Sequence, residues 1–258
     1  MSSKHNTSNT IKSDHTLFTI IELLHEDGTM GVTELADSLD LAKSTIHKHL
    51  KTLEEREYVR NDGGQYQLGF KFLTLGGHIR DTDPFCKLAR TSVGELVEET
   101  NQMVSFVLRD GGYGVAVFVQ NDRYGLRKQV PLGNRFPLYQ NGAGKSILAE
   151  LSDDEIEACV DATGLESETH NTITDIDRLW EEIKDVRTQG YATSTEERVE
   201  GVQSIAAAAE SPDDGIVGSL SIAVPSDHQT EDRLHSSYVD TITEAANELE
   251  LRARYGIE

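Results

Sequence analysis

The sequence predicts an α+β fold in two parts: a small N-terminal unit of three helices closed by a hairpin, then a longer unit in which helices accompany an antiparallel sheet. Three observations carry this expectation. Apolar residues recur with helical spacing up to about residue 57, a Gly-rich turn between two short β-prone runs follows at once, and beyond residue 100 strand-like and helical runs alternate between glycine punctuation. A chain of 258 residues has room for two domains, each with a core of its own.

Residues 1–13 are rich in Ser, Asn, Thr and Lys and hold too little apolar matter to offset ordering, so they are expected to form a loose arm. From Asp14, the residues Leu17, Ile20, Ile21 and Leu24 line one helix face, and Gly28 closes that helix. Thr33 is placed to cap a short helix through Leu39, and Asp40 to Ala42 make a tight connection. A third helix is expected from Lys43 to Glu57, with Ile46, Leu50 and Leu53 on its inner stripe. Tyr58 to Arg60 and Gln65 to Leu68 flank the turn Asn61-Asp62-Gly63-Gly64 and read as a hairpin. Two short helices joined by so brief a turn, followed by a hairpin, make a winged helix-turn-helix over 14–76.

Helical spacing resumes over residues 70–100, with interruptions expected near Gly76, Gly77 and Pro84, and predicts a helix pair whose linker portion, 77–100, joins the two domains. Strands follow at Met103 to Arg109 and Tyr113 to Gln120, then a helix from Gly144 to Leu151. Ser152 and Glu155 form a capping box that opens another helix, Asp175 to Gln189 is helical up to Gly190, and strands cover Ser204 to Ala209 and Ile216 to Val224 around the turn Asp213-Asp214-Gly215. A last amphipathic helix runs from Glu231 to Arg254.

Composition removes several classes of function. No apolar run reaches the ~20 residues that span a bilayer and the N-terminal residues lack an apolar signal core, so a cytoplasmic protein without membrane partners is expected. Cys86 and Cys159 are too few for a disulfide framework or a four-cysteine zinc site. His47 and His49 stand two apart on a helix and point apart, so no metal is expected there. There is no Gly-x-Ser-x-Gly elbow, His-Glu-x-x-His pair or nucleotide fingerprint, and no cofactor or catalytic residue is predicted. The net charge of −21 is unevenly spread: residues 1–75 hold 8 Lys and Arg against 11 Asp and Glu, so all but three of those net charges lie later. Such a surface suits a high-salt interior, where charge preserves solubility under screening, and a halophilic source is expected.

The third helix is the candidate DNA reader. Lys43, Ser44 and Thr45 lie at its start and His47, Lys48 and Lys51 on its non-core side, supplying donors and positive charge where a recognition helix meets base edges and phosphates. Thr33 and Arg60, with Gln65 beside the hairpin, are placed to meet the sugar-phosphate backbone. The bland alternative is a solvated helix in a bundle.

At these residues the chain resembles the IclR-type transcription regulators, from about residue 14 to the C-terminus. Val32-Thr33-Glu34-Leu35-Ala36, Leu41-Ala42-Lys43-Ser44-Thr45 and Tyr66-Gln67-Leu68-Gly69 resemble the family's DNA-binding domain; Asn141-Gly142-Ala143-Gly144-Lys145 and the segment from Gly201 to Ala207 resemble its two effector-domain signatures. The resemblance implies an effector-binding and oligomerisation domain over 101–258 with a GAF/profilin-like antiparallel sheet. It also implies a homodimer, or a homotetramer, on a palindromic double-stranded operator, responsive to a small organic acid or related metabolite and controlling catabolic genes. Carried over by position, the ligand-binding candidates are Gly142, Ala143, Ser194, Ser204 and Ser221. The chain departs from the pattern of keto-acid binders at Ser194, where Asp is common, at Ser204, where Cys is common, at Ala223, where Ser is common, and at Ala208, where proline is common. Hydroxyls at two such places suggest a hydroxylated ligand such as a sugar acid; packing with each hydroxyl bonded to backbone is the alternative.

Gly142-Ala143-Gly144-Lys145-Ser146 also invites a phosphate-loop reading, but Tyr139 stands where that motif needs its first glycine. A glycine-rich turn opening a helix, with N–H groups available to a ligand carboxylate, is the better expectation. A metabolite-binding enzyme with an appended DNA-binding module and a purely structural protein remain as alternatives of other classes.

Overall fold

The computed structural model describes residues 11–121, 130–211, 215, 217–226 and 231–256, with backbone alone for 231–236. The arm predicted over 1–13 and the turn at 213–215 therefore lie largely outside the described residues. The chain divides into two compact units, Met1–Ile79 and Arg80–Glu258.

The first unit contains α1 (Lys12–Glu26), β1 (Met30–Gly31), α2 (Val32–Leu39), α3 (Lys43–Glu55), β2 (Val59–Asp62) and β3 (Gln65–Leu68). Ile20, Leu24, Leu35, Ile46 and Leu50 are fully enclosed in one core with Leu53, Val59 and Tyr66, as the i, i+3/i+4 spacing requires. Asp40 closes α2 in the left-handed region at φ 50°, a conformation that a short polar side chain tolerates, and so makes the turn to α3 tight. Between β2 and β3, Gly63 and Gly64 both have positive φ, and Asn61 Oδ1 accepts the Gly64 N–H at 2.9 Å. The strands are antiparallel in the order β1-β3-β2.

One local expectation differs from what forms here, and one short strand carried no sequence signal. Thr33 does not cap α2: it sits inside the first turn, and the Glu34 carboxylate instead accepts the Gly31 N–H at 2.6 Å. The two-residue strand β1, paired with β3 at Met30↔Tyr66, is too short to show alternation in a sequence.

Residues 71–82 form a single helix, α4 (Lys71–Thr82), whose residues belong to both units. Gly76 and Gly77 do not interrupt it; a helical glycine costs only ~1 kcal/mol. The break comes at Asp83, whose carboxylate accepts the Cys86 N–H at 2.7 Å and caps α5 (Pro84–Thr100), with Pro84 at the first position, where a missing N–H is harmless. The stretch 77–100 thus comprises the end of α4 and the whole of α5, two helices separated at Asp83. Its second half, α5, sends Phe85, Cys86, Ala89, Val93, Leu96 and Val97 into the core of the second unit.

That unit continues with β4 (Met103–Asp110), β5 (Tyr113–Gln120), β6 (Arg135–Pro137), a 3-10 turn (Leu138–Gln140), α6 (Gly142–Glu150), α7 (Asp153–Thr163), α8 (Ile176–Gln189), β7 (Ala192–Thr195), β8 (Val202–Glu210), β9 (Val217–Pro225) and α9 (Glu231–Tyr255). Six antiparallel strands form one sheet in the order β6-β5-β4-β9-β8-β7. Strand alternation sorts side chains to two faces. Val104, Phe106, Ile205, Ala207, Leu220 and Ile222 join the cluster that holds α5 and α9, while Val107, Ala206 and Val217 join the cluster that holds α6, α7 and α8. On this second face Met103 and Ser105 of β4, Ser204 of β8, and Ser221 and Ala223 of β9 are left for something other than the core. The predicted capping box forms, the Ser152 and Glu155 side chains each accepting the other's backbone N–H.

Candidate functional site

On α3, residues 43, 47 and 51 follow i, i+4 spacing and 44 and 48 flank them, so Lys43, Ser44, His47, Lys48 and Lys51 share an exposed face, with Thr45 half-buried at its edge. The first turn of α3 carries no carboxylate, and Ala42 at its N-cap offers no side-chain cap, which leaves the positive end of the helix dipole unopposed. Lys51 meets Glu55 only at 3.9 Å on an open surface. Thr33 is exposed one helix earlier, and Arg60 stands exposed on β2 with its guanidinium 4.4 Å from the Phe70 ring centroid. The local sequence that produces this is simple: three core residues at helical spacing leave every lysine of α3 facing out.

In the second unit, the free face of the sheet floors a cavity of about 320 Å³. Its walls include Ala143 at the start of α6, Ser194 of β7, Ser204 of β8 and Ser221 of β9, four of the five residues predicted from sequence. Gly142 lies just behind: a Cβ there would stand 3.2 Å from Ser204 Oγ. Register brings the serines together, for Ser194 pairs with Ser204 across β7 and β8, and Ser221 pairs with Ser105 across β9 and β4. Ser204 and Ser221 are 9% and 6% exposed, and among the described residues neither their hydroxyls nor that of Ser105 makes a hydrogen bond. Bonding to neighbouring backbone is therefore not what occupies those hydroxyls.

Asn141 caps α6 by accepting the Gly144 N–H at 2.9 Å. Gly144 is required sterically, since a Cβ there would clash with the Leu138 carbonyl oxygen. Lys145 is fully buried and donates to Glu182 at 2.7 Å and Glu197 at 2.8 Å, so it is committed to two carboxylates and does not serve a phosphate loop. Burial pushes the Glu197 carboxyl above the usual carboxylate range, opposed by Lys145 and Ser194.

Sequence reasoning missed four polar groups on the cavity: Ser105, Asn134, Asn141 and Arg198. Arg198 is half-buried with its guanidinium 4.3 Å from the Phe136 ring centroid, and burial pulls its pKa down. Among the described residues no carboxylate comes within ion-pair distance of it. The missed signal was register: Ser105 becomes visible only once β4 is known to pair with β9. Among the described residues no cluster of side chains is placed to hold a metal ion, and no helix is long and apolar enough to cross a membrane.

Comparison with known proteins decides the family. The IclR helix-turn-helix domain matches residues 17–63, and the family described as bacterial transcriptional regulator IclR C-terminal matches residues 81–251. The chain belongs to the IclR family of transcription regulators. Among IclR-family relatives, the HTH-type transcriptional repressor AllR of Salmonella typhimurium is 30% identical over 211 residues, covering 81% of this chain and 78% of that protein. The crystal structure of the Thermotoga maritima IclR superposes with a TM-score of 0.76 at 25% identity, covering 95% of this chain and all of that one. An IclR homologue from Microbacterium hydrocarbonoxydans, solved in complex with 4-hydroxybenzoate, shares the fold with a TM-score of 0.77 at 15% identity, over 94% of this chain and 99% of that one. The chain thus carries an N-terminal helix-turn-helix and the family's C-terminal effector domain, and its relatives are named as regulators.

Proposed function

We propose that this regulator binds a palindromic operator as a homodimer, able to pair again into a tetramer, and that a small organic acid or sugar acid held in the cavity shifts operator affinity and so controls catabolic genes. It works in the cytoplasm and catalyses no reaction. Lys43, Ser44, Thr45, His47, Lys48 and Lys51 enter the major groove, while Thr33 and Arg60 hold phosphates. Gly142, Ala143, Ser194, Ser204 and Ser221 hold the effector. The observation that carries this reading is one chain pairing an exposed lysine-bearing helix with a walled cavity whose buried hydroxyls lack internal partners. Coupling has a physical carrier in α4, one continuous helix shared by both units.

A pair of variants tests the assignment. Lys48→Ala should weaken binding to the operator more than to an unrelated duplex, without altering ligand affinity. Ser204→Leu should abolish the ligand response and leave operator binding in place. The opposite pattern in either variant refutes the division of labour.

A further inference from the structure

We propose that Arg198 is the anion anchor of this cavity, and that the ligand is a small polyhydroxylated carboxylate bound with its acid group on Arg198 and its hydroxyls on Ser105, Ser204 and Ser221. The proposal rests on reading the cavity as the effector site and adds to it the ligand's orientation and the residue that selects its charge.

The walls are mostly apolar: Met103, Val107, Ala116, Phe136, Val199 and Ala223 offer no polar atom from their side chains. Against that background the polar groups stand out by placement. A half-buried guanidinium needs a counter-charge, because removing it from water costs far more than a surface position would. The chain supplies none among the described residues: the adjacent Glu197 is already engaged by Lys145 at 2.8 Å, and Glu168 acts on Arg198 without reaching ion-pair distance. The Arg198 guanidinium carbon lies over the Phe136 ring, 4.3 Å from its centroid, a contact that leaves N–H donors for a fork-shaped acceptor. A carboxylate fits that edge with two parallel bonds.

The three serines add a requirement of another kind. Each hydroxyl can donate and accept, each lines the cavity, and none is used internally among the described residues. An apolar acid would leave them all without a partner, and a buried polar group left without one weakens binding. A polyol chain would satisfy them. The cavity, about 320 Å³, lies within the range of small-molecule sites and accepts acids of three to six carbons.

The test uses the full chain and three matched pairs of probes: glycerate with glycerol, threonate with threitol, and gluconate with glucitol. Binding to the wild type, Arg198→Gln and Arg198→Lys is measured by calorimetry, with melting followed by Trp180 fluorescence to confirm folding. At least one acid should bind the wild type 100-fold or more tighter than its polyol. Arg198→Gln should lose about 10- to 100-fold of that affinity, and Arg198→Lys, which keeps charge without the fork, should fall between. Should Arg198→Gln melt early, the acid-to-polyol ratio in the wild type still decides. Equal binding of acids and polyols, or acid binding untouched by Arg198→Gln, overturns the anchor while leaving the cavity an effector site. If no probe binds the wild type, the ligand class is wrong; operator binding that responds to another metabolite through Ser204 then separates that failure from failure of the effector site itself.

Discussion

Lys145→Met isolates the buried charge cluster beneath the cavity. The lysine is 0% exposed and its ammonium holds Glu182 and Glu197, whose side chains are 34% and 12% exposed. Methionine keeps the length and apolar stem, so little cavity is created and the effect is chiefly electrostatic. Glu182 can turn toward water, but Glu197 cannot, and one of its carboxylate oxygens already lacks a hydrogen-bond partner. Breaking one partner out of a buried pair costs ~3–5 kcal/mol, and the freedom of Glu182 places this variant at about 3 kcal/mol. With a urea m-value of ~2–3 kcal/mol/M, the midpoint should fall by roughly 1 M. Trp180 is the chain's single tryptophan and lies on α8 two residues before Glu182, so its fluorescence reports the second unit specifically. The sign with pH is fixed by burial, which pushes the Glu197 carboxyl up even with Lys145 present. Without the lysine that rise grows, and a carboxyl raised in the folded state contributes stability below its unfolded pKa that is lost as pH rises through the folded one. Lys145→Met should therefore lose more at pH 8 than at pH 5.5, and adding Glu197→Gln should recover most of the loss. A loss below about 1 kcal/mol that is the same at both pH values refutes this account of the cluster.

Three further outcomes follow from individual contacts. Arg109, at 2.9 Å, and Ser152 hold Glu155 down to about 2, so its contribution is present above pH 4.5 and lost as pH falls toward 2; because the carboxylate is half exposed, screening leaves at most about 1 kcal/mol, and Glu155→Gln should flatten the acid limb of an unfolding titration by that amount. Burial, with Asp83 close by, pushes the Cys86 thiol up to about 12, and burial also raises Cys159, so neither should react with a thiol-specific disulfide reagent at pH 8 until denaturant is added. Leu50→Ala, at a fully enclosed position of the first core, should cost ~2–5 kcal/mol and melt that unit first, as read by circular dichroism with Trp180 fluorescence unchanged.

The helix-turn-helix was readable because its signals are local: Ile46, Leu50 and Leu53 at helical spacing fix which side of α3 faces out, and the lysines follow. The long strands β4, β5, β8 and β9 showed themselves as strand-like runs between turn signals, whereas β1, β6 and β7 have two to four residues and are too short to stand out. Gly76 and Gly77 looked like breakers because propensity is a weak prior, while Pro84 imposes a boundary sterically. In the cavity, Ser204 and Ser221 were reachable by family resemblance. Ser105 and Arg198 were not, since one depends on cross-strand register and the other on a segment between β7 and β8 that carries no periodic pattern. Lys145 shows the reverse hazard: next to glycines it suggests phosphate chemistry, and only its distances to Glu182 and Glu197 reveal a structural role.

The central claim is that α3 presents its lysine face to a defined duplex sequence. The most direct measurement is fluorescence anisotropy of the full chain on its own upstream region and on a shuffled duplex of the same composition, across KCl concentrations from dilute to multimolar. A preference for the upstream region that persists as salt rises, with affinity for both duplexes falling along a log–log line, is the predicted result. Equal affinity for the two duplexes at every ionic strength contradicts it.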